Sequence, residues 1–162
     1  MRILWFIALF VVSVSAALVI AGQIGLLSGP APKDLGVHDG RLKPPSRTPN
    51  SVTSQADLYP DHPQKDYARI APLQFTGDGE KAMARIADIL KNSDRTVLIT
   101  HEPGYLYAQS STQLLKFTDD VEFWLDRSAG VIQVRSSSRL GQKDFNVNRN
   151  RVEAIRAQFS TN

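Results

Sequence analysis

Residues 115–138, "LKFTDDVEFWLDRSAGVIQVRSSS", decide how this chain folds. Odd positions from Leu115 to Leu125 read Leu, Phe, Asp, Val, Phe, Leu; even positions from Lys116 to Asp126 read Lys, Thr, Asp, Glu, Trp, Asp. Side chains of a strand alternate between the two faces of a sheet, so this pattern predicts one buried face and one solvated face. "RSAG" (127–130) predicts a four-residue turn, and Val131–Ser138 the returning strand. That loop length sets Leu125 opposite Ile132, Phe123 opposite Val134, and Glu122 opposite Arg135 on the wet face. The register follows from loop length alone, yet it matches apolar with apolar and acid with base, the pairing that stabilises sheets.

Outward from the hairpin, "RTVLIT" (95–100) reads as a strand, "HEPG" as a turn and "YLYAQSST" (105–112) as the return. Before them, Met83, Ile86, Ala87 and Leu90 fall on one side of a helix, with Asp78 as its expected N-cap and Asn92-Ser93 as its stop. After them, Val152, Ile155 and Phe159 make the stripe of a terminal helix, with Asn148 its expected N-cap and Val147 and Val152 spaced as a hydrophobic staple. Helix, four strands, helix predicts an α+β fold: an antiparallel sheet of about four strands with two helices packed on it.

The N-terminus is a different material. From Ile3 to Leu27 there is no charge, and Ser13, Ser15 and Gln23 are the only polar side chains. A run of that length fits a membrane span of about 20 residues better than a secretory apolar core of about 7–15. Residues 1–27 are therefore read as a membrane anchor. A cleaved signal peptide ending at Ala16 is the alternative, and it would leave a greasy new terminus. Arg2 precedes the span, so the positive-inside tendency keeps that end cytoplasmic and the rest outside, which is the periplasm if the cell is Gram-negative. Eight of the nine prolines lie between Pro30 and Pro72. Proline blocks helix and central strand, so residues 28–72 are read as an extended connector, either a spacer or an arm wrapped on the domain. Residues 73–162 form the expected globular domain.

Composition narrows the chemistry. The 162 residues carry a net charge of +3 and no cysteine, which removes disulfides, thiolate nucleophiles and Cys-ligated metals. The charge is uneven. Arg135, Arg139, Lys143, Arg149, Arg151 and Arg156 stand against Asp144 and Glu153, so this segment alone carries +4 (six minus two). His38, His62 and His101 show no metal-ligand spacing, and no serine sits in a G-x-S-x-G elbow. No cofactor or metal is expected. Nucleic acid is not an expected partner, because overall charge is low and the aromatics alternate into a core.

Asp119 is the anomaly. It falls on the apolar face of its strand, where an unpaired charge costs several kcal/mol. Its cross-strand neighbour is Ser138, with Ser136 on the same face and Arg139 and the last helix just beyond. Three arrangements would accommodate it: bonding to that polar run, capping the last helix, or a β-bulge turning it outward. As a functional alternative, Arg135 and Arg139 with the Asn148 helix terminus form an anion site for a phosphate, carboxylate or lipid headgroup, although Asp120 and Glu122 are placed to neutralise both arginines. An Asp119-Asp120 acid pair would need a bulge to converge, since neighbours on a strand point apart.

The stretch "FTDDVEFWLD … GVIQVRSSSRLGQKDFNVNRNRVEAIRAQF", with "NSVTSQA", "APLQF" and "YLYAQSST" upstream, resembles the family called domain of unknown function 1499, from about Leu35 to Phe159. The resemblance implies no activity, substrate or cofactor. It singles out Asp119, Asp120, Arg135, Ser136, Ser138, Arg139, Asp144, Asn148 and Arg149. It also implies two frequent cysteine positions, held here by Pro45 and Ser51, so neither a disulfide nor thiol chemistry is obligatory. The expected function is non-catalytic binding of an envelope partner or an anionic lipid or other ligand through the Arg135–Arg151 surface. The alternative is a hydrolase-like enzyme built on Asp119, Asp120, Arg135, Ser136 and Ser138.

Overall fold

The computed structural model describes residues 1–161. Helix α1 (Arg2–Gln23) comes first; two short strands, β1 (Ser51–Thr53) and β2 (Leu73–Gln74), then bracket a four-residue helix, α2 (Lys65–Ala68). Helix α3 (Gly79–Lys91), strands β3 (Thr96–Glu102), β4 (Tyr105–Ser111), β5 (Thr118–Asp126) and β6 (Val131–Ser138), and helix α4 (Val147–Thr161) complete the chain. The strands form one antiparallel sheet in the order β1-β6-β5-β4-β3, with β2 also paired to β6. The fold is α+β, with six strands where about four were expected. The two additional strands lie among the prolines and are three and two residues long, too short to show any period.

The β5–β6 hairpin has the register its loop length dictates: Leu125 opposes Ile132, Phe123 opposes Val134, Glu122 opposes Arg135 and Asp119 opposes Ser138. The pairing runs unbroken through Asp119 and Asp120, so no bulge turns Asp119 outward. Alternation begins only at Thr118; Leu115–Phe117 belong to a loop in which Lys116 takes a φ of 54°. The β3–β4 turn is tighter than "HEPG", because His101 and Glu102 pair with Leu106 and Tyr105. Only Pro103-Gly104 remain as the bend, with Gly104 at a φ of 76° that a side chain would strain.

Helices α3 and α4 cover one face of the sheet. Val121, Phe123, Ile132 and Val134 meet Met83, Ile86 and Leu90 of α3 and Val152, Ile155 and Phe159 of α4, and Val52 and Leu73 of the short strands join them. Asp78 caps α3 as expected, its Oδ1 accepting from Glu80 N (2.8 Å) and Lys81 N (3.3 Å). The start of α4 differs from expectation. The helix begins at Val147, so Asn148 lies inside its first turn, and Asp144 accepts the N–H of Asn148 at 3.0 Å. Val147 is exposed while Val152 is buried, so the expected staple does not form.

The opposite face is the larger correction. Asp120, Glu122 and Arg135 were expected in water and are buried. Segment 28–50 lies across them: Gly36 N donates to Glu122 Oε1 (2.9 Å), and the carbonyls of Pro44 and Gly29 accept from Arg135 and Arg139. Leu42, from the same segment, is 2% exposed.

Candidate functional site

Two polar networks flank the hairpin, one on each face. On the helix face, α4 brings Arg151 over β5, and its Nη2 donates to Asp119 Oδ2 in a buried ion pair. Arg151 Nη1 also donates to Asn148 Oδ1 (2.8 Å) and Ser136 Oγ (3.1 Å), and the Ser136 hydroxyl donates to Asn148 Oδ1. The amide of Asn148 spends its Nδ2 on Ser138 Oγ (2.9 Å), Asp144 Oδ2 (2.9 Å) and the Asn50 carbonyl (3.1 Å). Asn148 thus ties α4 to β6 and to the residue before β1. Burial pushes the Asp144 carboxyl up, but the Tyr67 hydroxyl and the N–H groups of Asn148 and Asn146 outweigh it and hold the group below the ordinary carboxylate range. Arg149 closes the joint by donating to the carbonyls of Tyr67 and Arg69.

On the other face, Arg139 grips Asp120 in a fork, Nε to Oδ2 at 3.0 Å and Nη2 to Oδ1 at 2.7 Å, and Tyr107 donates to the same carboxylate at 2.6 Å. Two parallel bonds on a planar guanidinium are the strong, directional form of this pair. Burial, helped by the Asp120 charge, pushes the Tyr107 hydroxyl up, and burial beside Glu122 pushes Tyr105 up further, so both stay protonated donors. Arg135 is held much less well. Its Nη1 reaches Glu122 Oε2 and its Nε the Pro44 carbonyl, both at 3.4 Å, and its Nη2 bonds to no described residue. The side chain is only 5% exposed, but Nη2 is not sealed from solvent and stands as a spare donor.

That donor opens on a cleft of about 350 Å³ between segment 30–46 and β6, lined by Lys43, Ser46, Arg135, Ser137, Arg139 and the Asp120 that Arg139 holds. Lys43 is paired across the surface to Asp34 at 2.7 Å, an exposed contact of little energy that leaves the amine able to turn inward. A second cleft, of about 260 Å³, lies by the start of α4 among Phe117, Leu140, Phe145 and Val147, with Asp119, Ser138 and Asp144 also on its walls.

The sequence-derived candidates therefore fall into two groups. Asp119, Ser136, Ser138, Asp144, Asn148, Arg149 and Arg151 come together in the joint beneath α4; Asp120, Arg135 and Arg139 lie on the opposite face. Asp119 and Asp120 do not converge, because strand neighbours point apart. The helix terminus is not an open anion site beside Arg135, since Asp144 already occupies its N–H groups. Among the described residues no three His, Asp or Glu side chains gather as metal ligands. His101 stands on β3, two strands away from β5, and His62 Nδ1 accepts from Gln64 N, so neither serves the serine cluster. Sequence reasoning missed Tyr67, Tyr105, Tyr107, Asn50 and Lys43. The tyrosines carried one readable signal: Tyr105 and Tyr107 alternate onto the face of β4 that meets Glu122 and Asp120.

Comparison with known proteins agrees with the resemblance seen in the residues. No curated protein matches the chain. Residues 41–159, most of the chain and nearly all of the sheet and its helices, match the family described as "Protein of unknown function (DUF1499)", and the chain belongs to that family.

Proposed function

We propose that this is a membrane-anchored, extracytoplasmic binding module, and that it takes an anionic group, from a small ligand or an envelope partner, in the cleft between segment 30–46 and β6. The observation that carries this reading is Arg135: a nearly buried guanidinium with two long hydrogen bonds and an unbonded Nη2 beside that cleft. Nη2 is not sealed from solvent but opens on the cleft, and an oxygen of a phosphate or carboxylate there would accept from it in a charge-assisted bond. The Ser137 hydroxyl and Lys43 Nζ stand on the same cleft and supply further donors. Helix α1 is long and apolar enough to cross a membrane, and Arg2 at its start favours a cytoplasmic N-terminus with the sheet outside.

The hydrolase-like alternative has less support. Asp119 and Asp120 are each closed in an ion pair with an arginine, on opposite faces, and Ser136 and Ser138 are both engaged by Asn148.

Titrating the full chain in nanodiscs with inorganic phosphate and with acetate, by NMR, tests the binding reading. Amide shifts at Ser137 and Arg135 are expected, with Lys43→Ala and Ser137→Ala weakening them while thermal unfolding stays unchanged. Shifts that ignore both substitutions, or no shifts with either anion, would refute it.

A further inference from the structure

Helix α1 does not leave the domain freely. Gln23 Nε2 donates to the Leu114 carbonyl at 3.0 Å, and Gly22 packs so closely on the β4–β5 loop that a Cβ there would stand 2.5 Å from the Leu115 oxygen. Further on, Gly29 lies against Arg139 and Leu140, where a Cβ would meet their side chains at 2.9 and 3.0 Å. The segment leaving the helix is thus pinned to both the 112–117 loop and the turn after β6.

These two places carry exposed apolar side chains. Leu114 is 64% exposed, Phe145 78%, and Val147 and Leu140 about 40% each (42% and 39%). Lys116 is in the same loop, and Lys143 Nζ sits 5.9 Å from the centre of the Phe145 ring. The acids nearby are each matched by a partner, the exposed Asp94 on the turn beside Ser111 by its neighbour Arg95. Asp119 is paired with Arg151, and Asp144 is taken up by Tyr67 and the α4 N–H groups. Apolar side chains fringed by lysine are the composition of surfaces that lie in the headgroup region of a bilayer.

Taking α1 as the span, as the proposed function does, we propose that the 112–117 loop and the 140–147 turn rest on the outer surface of the same bilayer, with Leu114, Leu140 and Phe145 entering the acyl boundary and Lys116 and Lys143 meeting lipid phosphates. The occupant follows from continuity: residues touching the last turn of a membrane helix sit at the interface whatever else they do. The domain is then held at a fixed attitude on the membrane rather than swinging on a tether. The β5–β6 turn lies at the far end of nine-residue β5, about 30 Å along the strand from the docked loop.

The cysteine-free chain makes a direct test simple. Leu114→Cys, Phe145→Cys and, as the distal control, Ala129→Cys are each labelled with a nitroxide in the full chain, in nanodiscs of phosphatidylethanolamine and phosphatidylglycerol. A fourth label, at Phe10→Cys in α1, reports the span itself. Labels at 114 and 145 are expected to be more accessible to oxygen than to an aqueous nickel chelate, like the label at 10 and opposite to that at 129. A lipid-like label at 10 with aqueous labels at 114 and 145 overturns the docking alone. An aqueous label at 10 overturns the span and the docking together.

Discussion

The Asp119–Arg151 pair offers the sharpest quantitative test of how this domain is held together. Arg151→Met removes the guanidinium and leaves the Asp119 carboxylate, 3% exposed, facing the core without a counter-charge. Removing one partner of a buried pair costs about 3–5 kcal/mol, because the remaining charge stays desolvated. Two hydrogen bonds, to Ser136 Oγ and Asn148 Oδ1, go with it. For a domain of ordinary stability, about 5–15 kcal/mol, that is a large share. With a urea slope of about 2 kcal/mol/M, the midpoint falls by about 1.5–2.5 M. The full chain in a mild detergent, followed by near-UV circular dichroism, reports the packing of the sheet and not the helicity of α1. The second half of the test is Asp119→Leu combined with Arg151→Met. Replacing both ions by apolar groups is often neutral or better, so most of the loss should return, with a coupling of at least about 2 kcal/mol in the cycle. If Arg151→Met costs under about 1 kcal/mol, or the double variant is no better than the worse single one, the pair does not close α4 on the sheet and the reasoning fails.

Other outcomes follow from the same structure. Leu42→Ala should cost about 2–5 kcal/mol in the same urea assay, because the side chain is buried beneath a segment that is otherwise irregular; a cost near zero would mean the segment is not part of the folded unit. The Asp144 carboxyl is held below its unfolded value, so its contribution is fully present above about pH 4 and is lost as the pH falls through the lower folded value. Stability curves of the wild type and Asp144→Asn should therefore converge on acidification below about pH 4, and a gap that persists there would contradict the shift. Gly22→Ala places a methyl against the Leu115 carbonyl and should free the end of α1 from the loop. A spin-label distance distribution between α1 and the 112–117 loop would then broaden while the urea midpoint holds, and an unchanged distribution would show that the contact is adjustable.

What was legible in the sequence was local. Alternation over a few residues and a four-residue turn are enough to fix the β5–β6 register, because a slip of one residue would turn every side chain to the wrong face. The same alternation exposed Asp119 as a carboxylate on the core side, and the spacing of Met83, Ile86 and Leu90 gave α3 with its Asp78 cap. The anomaly was visible, but its resolution was not. Arg151 reaches Asp119 from 32 residues away, and which of several arginines arrives depends on how α4 crosses the sheet. Arg139, the nearer candidate, turns to the other face and takes Asp120, since residues 138 and 139 continue the strand's alternation.

The second face shows the limit most clearly. Glu122 and Arg135 were paired correctly from the register, yet read as solvated, because nothing in a strand tells whether a separate segment lies over it. That cover comes from prolines and glycines about 90 residues upstream, with no period of their own, through single contacts such as Gly36 N on Glu122 and the Pro44 carbonyl on Arg135. By itself, then, the sequence determined the apolar N-terminal helix, the α+β class, the central hairpin and the residues that break its pattern, all set by short-range periodicity. Tertiary structure alone decided which charges are buried, which arginine answers which acid, and that Arg135 is left with spare donors at a cleft, because those depend on segments meeting that the chain holds far apart.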